Sequence, residues 1–462
     1  MTSPLAITRT ADRMFDGPVH RPGDDGYDTA RRSWRPVESR PALIVDVTGP
    51  ADVVAAFALA GDHDLPVAVQ ATGHGATATT DGAILLRTVR LAGARVDPAR
   101  RRVSVGGGGL LRDAMAAAEP HGLMPLLGST PWLGAAGFTL GGGVGWLTRA
   151  FGYAADSLLG AEVVMPGGEV VTVDDDQGPE LMWGLRGAGG SLAVATSIEL
   201  ALHPVPALYG GAVAFAVTDP LDLLLAYRDW TAGLPDRMST ALVLRRYGDP
   251  AQTPPGVPGS LLVALRVLHA GPVHDAQPLL ASFFARAGRH HWSTLRPMSP
   301  RSYLNVAPPR PPELHTGIVE CFRELPDAVL TGIASFVTAA DAPPSLFEVR
   351  HWDGAITRPE RPSPAGPRDV RYGIVAEFAG APTEAGIDVV ADPFLTLLRR
   401  HSSGSAMRNL LPDAEATHQA YGVADRARLV TLKRAWDPQD LLRTGHRIPV
   451  GGWPAQAERG AR

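Results

Sequence analysis

Residues 65 to 75 read Leu65-Pro66-Val67-Ala68-Val69-Gln70-Ala71-Thr72-Gly73-His74-Gly75, an apolar run that breaks into a turn cluster with a histidine between two glycines. Upstream, residues 51 to 64 place Val53, Val54, Phe57, Ala58 and Ala60 at helical spacing behind Pro50 and Asp52, with a stop signal at Gly61. Downstream, Ile84 to Leu86 and Val103 to Val105 are short extended runs, the second ending in Gly106 to Gly109. These glycines open a helix predicted over Leu110 to Glu119, closed by His121-Gly122. Strands are predicted at Glu162 to Met165 and Val170 to Val173, around the hairpin signal Pro166-Gly167-Gly168. A last extended run follows Gly187 to Gly190 and reaches Leu202. Strands interleaved with helices predict mixed α and β structure.

At 462 residues the chain exceeds the usual size of one domain. The texture changes near Pro204: elements are spaced more widely, with proline-rich connections at Pro254 to Pro258, Pro308 to Pro312 and Pro359 to Pro367. The last 55 or so residues look helical again. This predicts a first domain over 1–204, a second over 205–403, and a segment 404–462 that returns to the first.

A formal net charge of −4 without a basic surplus argues against a nucleic-acid partner. The single cysteine, Cys321, excludes a disulfide framework and a thiolate metal cluster. No uninterrupted apolar run of about 18 residues appears, and Met1 to Phe15 lacks the pattern of a signal peptide, so the expected location is the cytoplasm.

Glycine clusters let backbone approach a large polar ligand, and they also make tight turns; composition leaves both readings open. Gly106 to Gly109 lacks the lysine and hydroxyl of a phosphate-binding P-loop, and Gly141-Gly142-Gly143-Val144-Gly145 lacks the Rossmann spacing. By itself His74 is either an ordinary loop histidine or a ring pressed against a ligand. Asp174-Asp175-Asp176 reads as a solvated turn, and His290-His291 lacks companion ligands at metal spacing.

Taken in order, the motifs resemble the FAD-linked oxidases of the vanillyl-alcohol oxidase, or PCMH-type, superfamily, in particular the berberine-bridge-enzyme-like group. The resemblance rests on Arg40-Pro41-Ala42-Leu43-Ile44, on Pro66 to Gly75 and on the long block Gly128 to Val164. Trp183 to Gly190, Tyr421-Gly422 and Lys433 to Pro438 extend it over nearly the whole chain. It implies an α+β fold: a PCMH-type FAD-binding domain of two α/β subdomains, and a substrate domain whose antiparallel sheet, covered by helices, roofs the flavin. It implies covalent attachment of FAD through His74. The other cofactor-binding residues implied are Thr72, Gly73, Gly75, Gly128, Ser129, Thr130, Gly134, Gly137, Thr139, Leu140, Gly141, Gly142, Gly145, Trp146, Asp156, Val164 and Asn409.

Departures from the family pattern matter as much. Thr130 stands where doubly linked members carry cysteine, which implies a single bond, through histidine. Gln70 replaces a frequent arginine, and Ser191-Leu192-Ala193 replaces the usual Asn-Phe-Gly. Met407 falls at the position of the tyrosine that often serves as base, and methionine cannot accept a proton. Candidates to replace it lie on two strand-like runs of the roofing sheet. In Phe347 to His351 the period of two puts Glu348 and Arg350 on one face; in Arg371 to Phe378, Tyr372 shares a face with Ile374, opposite Glu377. Tyr372 and Glu348 are the catalytic candidates.

The expected function is an oxidase taking hydride from a small hydroxylated or aromatic metabolite of secondary metabolism, with O2 as electron acceptor. The expected form is a monomer or homodimer that meets neither membrane nor nucleic acid. Competing readings are a non-redox flavoprotein, acting as cyclase or binding scaffold, and a carbohydrate oxidase.

Overall fold

A computed structural model describes residues 13–454 apart from 36, 216, 250, 252–253, 255–260, 304–313, 340–344 and 380–383. The proline runs 308–312 and most of 254–258 lie outside the described residues. Strands β1 (Val19–His20), β2 (Leu43–Asp46), β3 (Val67–Gln70) and β4 (Ile84–Arg87) form a sheet in the order β1-β2-β4-β3. In it β2, β4 and β3 are parallel. Helix α1 (Pro50–His63) crosses between β2 and β3 and buries Val53, Ala56, Phe57 and Ala60 against Leu43, Val45 and Ile84. It runs through Gly61, where a stop was expected, and ends at Asp64 with φ 50°. Gly61 serves packing instead: a Cβ there would lie 3.0 Å from the Gln439 amide.

A five-stranded antiparallel sheet follows, β5 (Ala94–Asp97), β6 (Arg102–Gly106), β8 (Leu158–Val164), β9 (Val170–Asp174) and β10 (Val194–Ala201), in the order β5-β6-β10-β8-β9. A short ribbon pairs β7 (Leu123–Met124) with β11 (His203–Pro204). Helices α2 (Leu111–Ala118), α3 (Ala135–Leu140) and α5 (Pro179–Ala188) pack on this sheet, while α4 (Thr148–Phe151) reaches the strand Met238–Arg246 of the next. Their shared core takes in Leu111, Leu140, Trp146 and Trp183.

The remaining strands make one large antiparallel sheet. They are β12 (Leu208–Phe215), β13 (Met238–Arg246), β14 (Leu261–His269), β15 (His290–Ser293), β16 (Arg296–Met298), β17 (Leu314–Phe322), β18 (Ser345–His351) and β19 (Tyr372–Ala379). Their order is β15-β12-β14-β13-β18-β19-β17, with β16 also on β12. Helices α6 (Leu221–Thr231), α7 (Val273–Ala287), α8 (Asp327–Thr338) and α9 (Glu384–His401) cover one face, burying Leu242, Leu265, Phe347, Val349 and Ile374. Period-two alternation therefore sends Arg266, Glu348 and Arg350 to the opposite face.

Finally α10 (Val423–Trp436) brings Leu429 and Leu432 into the core around Trp146. Among the described residues no helix is long and apolar enough to cross a membrane.

Two half-buried histidines at the seams of this fold give it an acid sensitivity. His203 meets the Ser157 hydroxyl at 2.9 Å and the Phe151 ring at 4.5 Å, and burial lowers its pKa from 6.5 to about 4. His446 meets Thr417 at 2.7 Å; burial first, then the charge of Arg408, lowers it to about 3. Below pH 6.5 the unfolded chain protonates both rings while the folded chain does not, so stability falls as pH drops toward 4. Allowing for partial exposure, the loss is on the order of 2 kcal/mol per histidine. Urea midpoints at pH 7.5 and 4.5 measure it, and substituting both histidines by glutamine should flatten that share of the profile.

Candidate active site

The loop after β3 is folded against residues 33–35. Trp34 N–H donates to Thr72 O at 3.1 Å and Arg35 N–H to Gly73 O at 3.3 Å. Gly73 has φ 70°, and a Cβ there would strike Ser33 Cβ at 2.5 Å, so glycine is required on both counts. His74 stacks on Trp34 with ring centroids 4.0 Å apart, while the Cβ position of Gly75 faces open space. Gln70 donates to Arg32 O at 2.9 Å and helps hold the same loop.

The block from Gly128 onward meets this loop directly. A Cβ on Gly134 would lie 3.0 Å from Ala71 Cβ. Ala135 N–H donates to Gly109 O and Leu111 N–H to Leu133 O, both at 2.9 Å. Near the junction, the buried Thr139 hydroxyl and the buried Trp132 indole N–H have no partner among the described residues. Gly137 faces open space. Buried donors left without acceptors, beside glycines with room in front, are what a large polar cofactor would satisfy. The junction of the loop of Thr72, Gly73, His74 and Gly75 with Trp132, Gly134, Gly137 and Thr139 thus fits FAD, whereas a Cβ on Gly128 would strike Leu133 at 2.5 Å and Leu140 packs in the core.

Other glycines have purely internal reasons. Cβ atoms on Gly106, Gly107 and Gly108 would fall 2.2, 2.3 and 1.8 Å from the carbonyls of Leu91, Ala195 and Thr88, so this cluster packs strand against strand. Gly145 is forced likewise by Leu127 O at 1.7 Å. Gly141 and Gly142 are covered by Asn409, which accepts from Gly143 N–H at 2.9 Å and donates to Phe138 O at 3.2 Å. The Asp156 carboxylate is held by Arg368 at 2.6 and 2.8 Å and accepts Tyr153 N–H. Val164 points into the core beneath α1. Asp175 pairs with Arg186 and Arg361, and Asp174 caps its own turn.

Across from these loops, Arg266 donates to Glu348 at 3.2 Å, Arg350 lies 3.8 Å from Glu348, and the Arg350 guanidinium covers the Trp146 ring at 4.4 Å. Tyr303, which no sequence signal marked, ties this wall to the loops: Trp146 N–H donates to its hydroxyl at 2.8 Å, and the hydroxyl donates to Leu127 O at 2.9 Å.

Tyr372 corrects an expectation. Its hydroxyl meets Thr231 at 2.8 Å and donates to Arg228 O at 3.3 Å, both on α6. The face it shares with Ile374 is the core face, turned away from the loops. Met407 is 2 % exposed among Cys321, Trp352, Ile356 and Tyr153, and burial pushes the Cys321 thiol up. Methionine itself can accept no proton there.

Arg149, also unmarked in the sequence, leaves α4 and enters the large sheet. It donates to Met238 O at 2.9 Å, Leu234 O at 3.2 Å, Pro235 O at 3.3 Å and Trp352 O, and meets His351 Nε2 at 2.9 Å. A guanidinium can only donate, so Nε2 accepts and the His351 proton sits on Nδ1. Burial, with Arg149 adding to it, holds His351 neutral, well below its ordinary pKa.

Residues 41–174 match the family model described as FAD binding domain. Among curated proteins, (R)-6-hydroxynicotine oxidase of Paenarthrobacter nicotinovorans is 37% identical over 210 residues, 45% of this chain and 44% of that one. The FAD-linked oxidoreductase pgmH of Aspergillus terreus is 32% identical over 268 residues, 57% and 53%. Residues 41–174 therefore carry an FAD binding domain, similar in sequence to that of FAD-linked oxidoreductases. The chain's fold agrees: 6-hydroxy-D-nicotine oxidase of Arthrobacter nicotinovorans superposes with a TM-score of 0.81 at 26% identity, over 94% of this chain and 98% of that one. In sequence, the chain spans about half the length of the curated relatives it matches.

Proposed function

We propose that this protein is an FAD-dependent oxidase that takes hydride from a small hydroxylated or aromatic metabolite and passes the electrons to O2. The reading is carried by the junction of the two loops, where His74 stacks on Trp34 and the Gly134 block, whose Thr139 and Trp132 donors have no partner among the described residues, meets Ala71. We infer that His74 is the attachment point, and the only one, because Thr130 offers no thiol. FAD bound there would accept the hydride. The similarity to two oxidases of 6-hydroxynicotine supports a small-molecule substrate.

Within this reading the chain's residues divide the work. The His74 loop and the Gly134 block orient the cofactor. Asn409 fixes the Gly141–Gly143 turn, and Glu348, on the loop-facing side of the sheet, is the remaining proton acceptor of the catalytic pair. The domain limits at 1–204, 205–403 and 404–462 belong to the same proposal, supported by Asn409 and Lys433 bonding to Gly143 and Ser191. A non-redox flavoprotein is the second reading, favoured by the apolar surroundings of Met407.

Acid-precipitated wild-type protein should keep flavin absorbance, while a His74→Ala variant should lose all of it on precipitation. Flavin retained by the variant would overturn the attachment. Anaerobic bleaching by a hydroxylated aromatic substrate, then peroxide on re-aeration, is the oxidase signature; product formed with flavin oxidised throughout would establish the second reading.

A further inference from the structure

Arg350 is poorly provided for. Of the two guanidiniums beside Glu348, that of Arg266 makes the hydrogen bond, at 3.2 Å, and that of Arg350 stays at 3.8 Å. Arg350 is 8 % exposed, and its Nη2 is buried with no acceptor among the described residues. Its cross-strand neighbours are Ala241 and Gly373, which bring no side-chain acceptor. Beneath it the Trp146 indole Nε1 is likewise buried and without a partner among the described residues. The nearby Tyr303 hydroxyl is spent on Leu127 O. Glu348 is already hydrogen-bonded by Arg266, and two neighbouring donors lack acceptors among the described residues.

We propose that Arg350 and Trp146 form a receptor for a carboxylate, and that the substrate is therefore a small organic acid. Substrate identity rests on the oxidase reading above; the receptor itself does not. A carboxylate is planar and carries only acceptors, so its two oxygens suit the edge of a guanidinium and a neighbouring N–H. It also brings negative charge to a guanidinium that stays 3.8 Å from Glu348, where a neutral alcohol would leave that buried cation underpaired. Arg266 remains with Glu348, and the two functions stay separate: Arg350 holds the acid group, while Glu348 faces the rest of the molecule.

Calorimetric titration of the holoprotein with benzoate and with benzyl alcohol, at matched ionic strength, tests this without turnover. Benzoate should bind at least tenfold more tightly than benzyl alcohol. Arg350→Gln should abolish that preference, and Trp146→Phe, which keeps a ring beneath the guanidinium but removes the N–H, should weaken benzoate severalfold. Equal binding of both probes to wild-type protein would overturn the receptor, as would a folded Arg350→Gln variant that keeps the preference. If Arg350→Gln fails to fold, the Trp146→Phe titration decides: unchanged benzoate affinity overturns the pairing. A benzoate preference in a holoprotein whose flavin no hydroxylated aromatic acid bleaches anaerobically would sink the oxidase reading alone.

Discussion

Lys433→Met is expected to cost about 3 to 5 kcal/mol of stability, the range for breaking a buried ion pair by removing one partner. Lys433 is fully buried, with Nζ 2.5 Å from Asp437 Oδ2 and 3.2 Å from Asp440 Oδ1, and it donates to Ser191 O at 3.1 Å and Leu442 O at 3.0 Å. Asp437 in turn accepts the N–H groups of Leu441 and Leu442 at 2.8 and 2.9 Å. Without the ammonium, a buried carboxylate is left with two backbone donors, and two carbonyls lose a donor. Adding Asp437→Asn should recover part of the loss, because the amide oxygen still accepts from the backbone without carrying charge. Denaturant midpoints of the wild type and both variants measure the effect. A single-variant loss under about 1 kcal/mol would show that the carboxylate finds solvent when the lysine is gone.

Arg149→Met should cost about 2 to 4 kcal/mol. No carboxylate lies within ion-pair distance of Arg149 among the described residues, so the substitution strands no partner charge and relieves the burial of the guanidinium itself. The cost comes from the four carbonyls and the His351 ring nitrogen that lose their donor, at roughly 1 to 3 kcal/mol for each group left dry. Arg149→Lys should recover little, since one ammonium has three donors and five acceptors surround the site. Thermal melting of both variants beside wild type is the measurement; a lysine variant as stable as wild type would mean that charge, rather than the fork of donors, is what the carbonyls need.

Much of the architecture was legible along the chain because it rests on local periodicity. The α1 pattern, the short runs of β3, β4 and β6, and the β8–β9 hairpin around Pro166-Gly167-Gly168 all lie where spacing and turn residues put them. Glycine was harder to read. The run Gly106 to Gly109 and the pair Gly73 and Gly75 look alike in sequence, yet the first is packed by carbonyls of Leu91, Ala195 and Thr88 while Gly75 faces open space. What separates them is the neighbour across the fold. The same holds for strand faces: period two placed Tyr372 with Ile374, but which face met the helices was decided by packing of α6 and α8. Arg149 escaped notice, and the role of Lys433 went unread, because four partners of the first and two of the second are backbone carbonyls, which carry no residue signature and lie as far as 203 and 242 positions away.

Lys433 is the only lysine in 462 residues, and the folded chain hides it completely. An ester reagent that acylates amines thus meets no lysine side chain on the native surface, and every such group it captures marks an opening of the contact between α10, Ser191 and Leu442. The rate of that capture, divided by the rate for a free amine, is a direct count of how often the C-terminal clasp lets go.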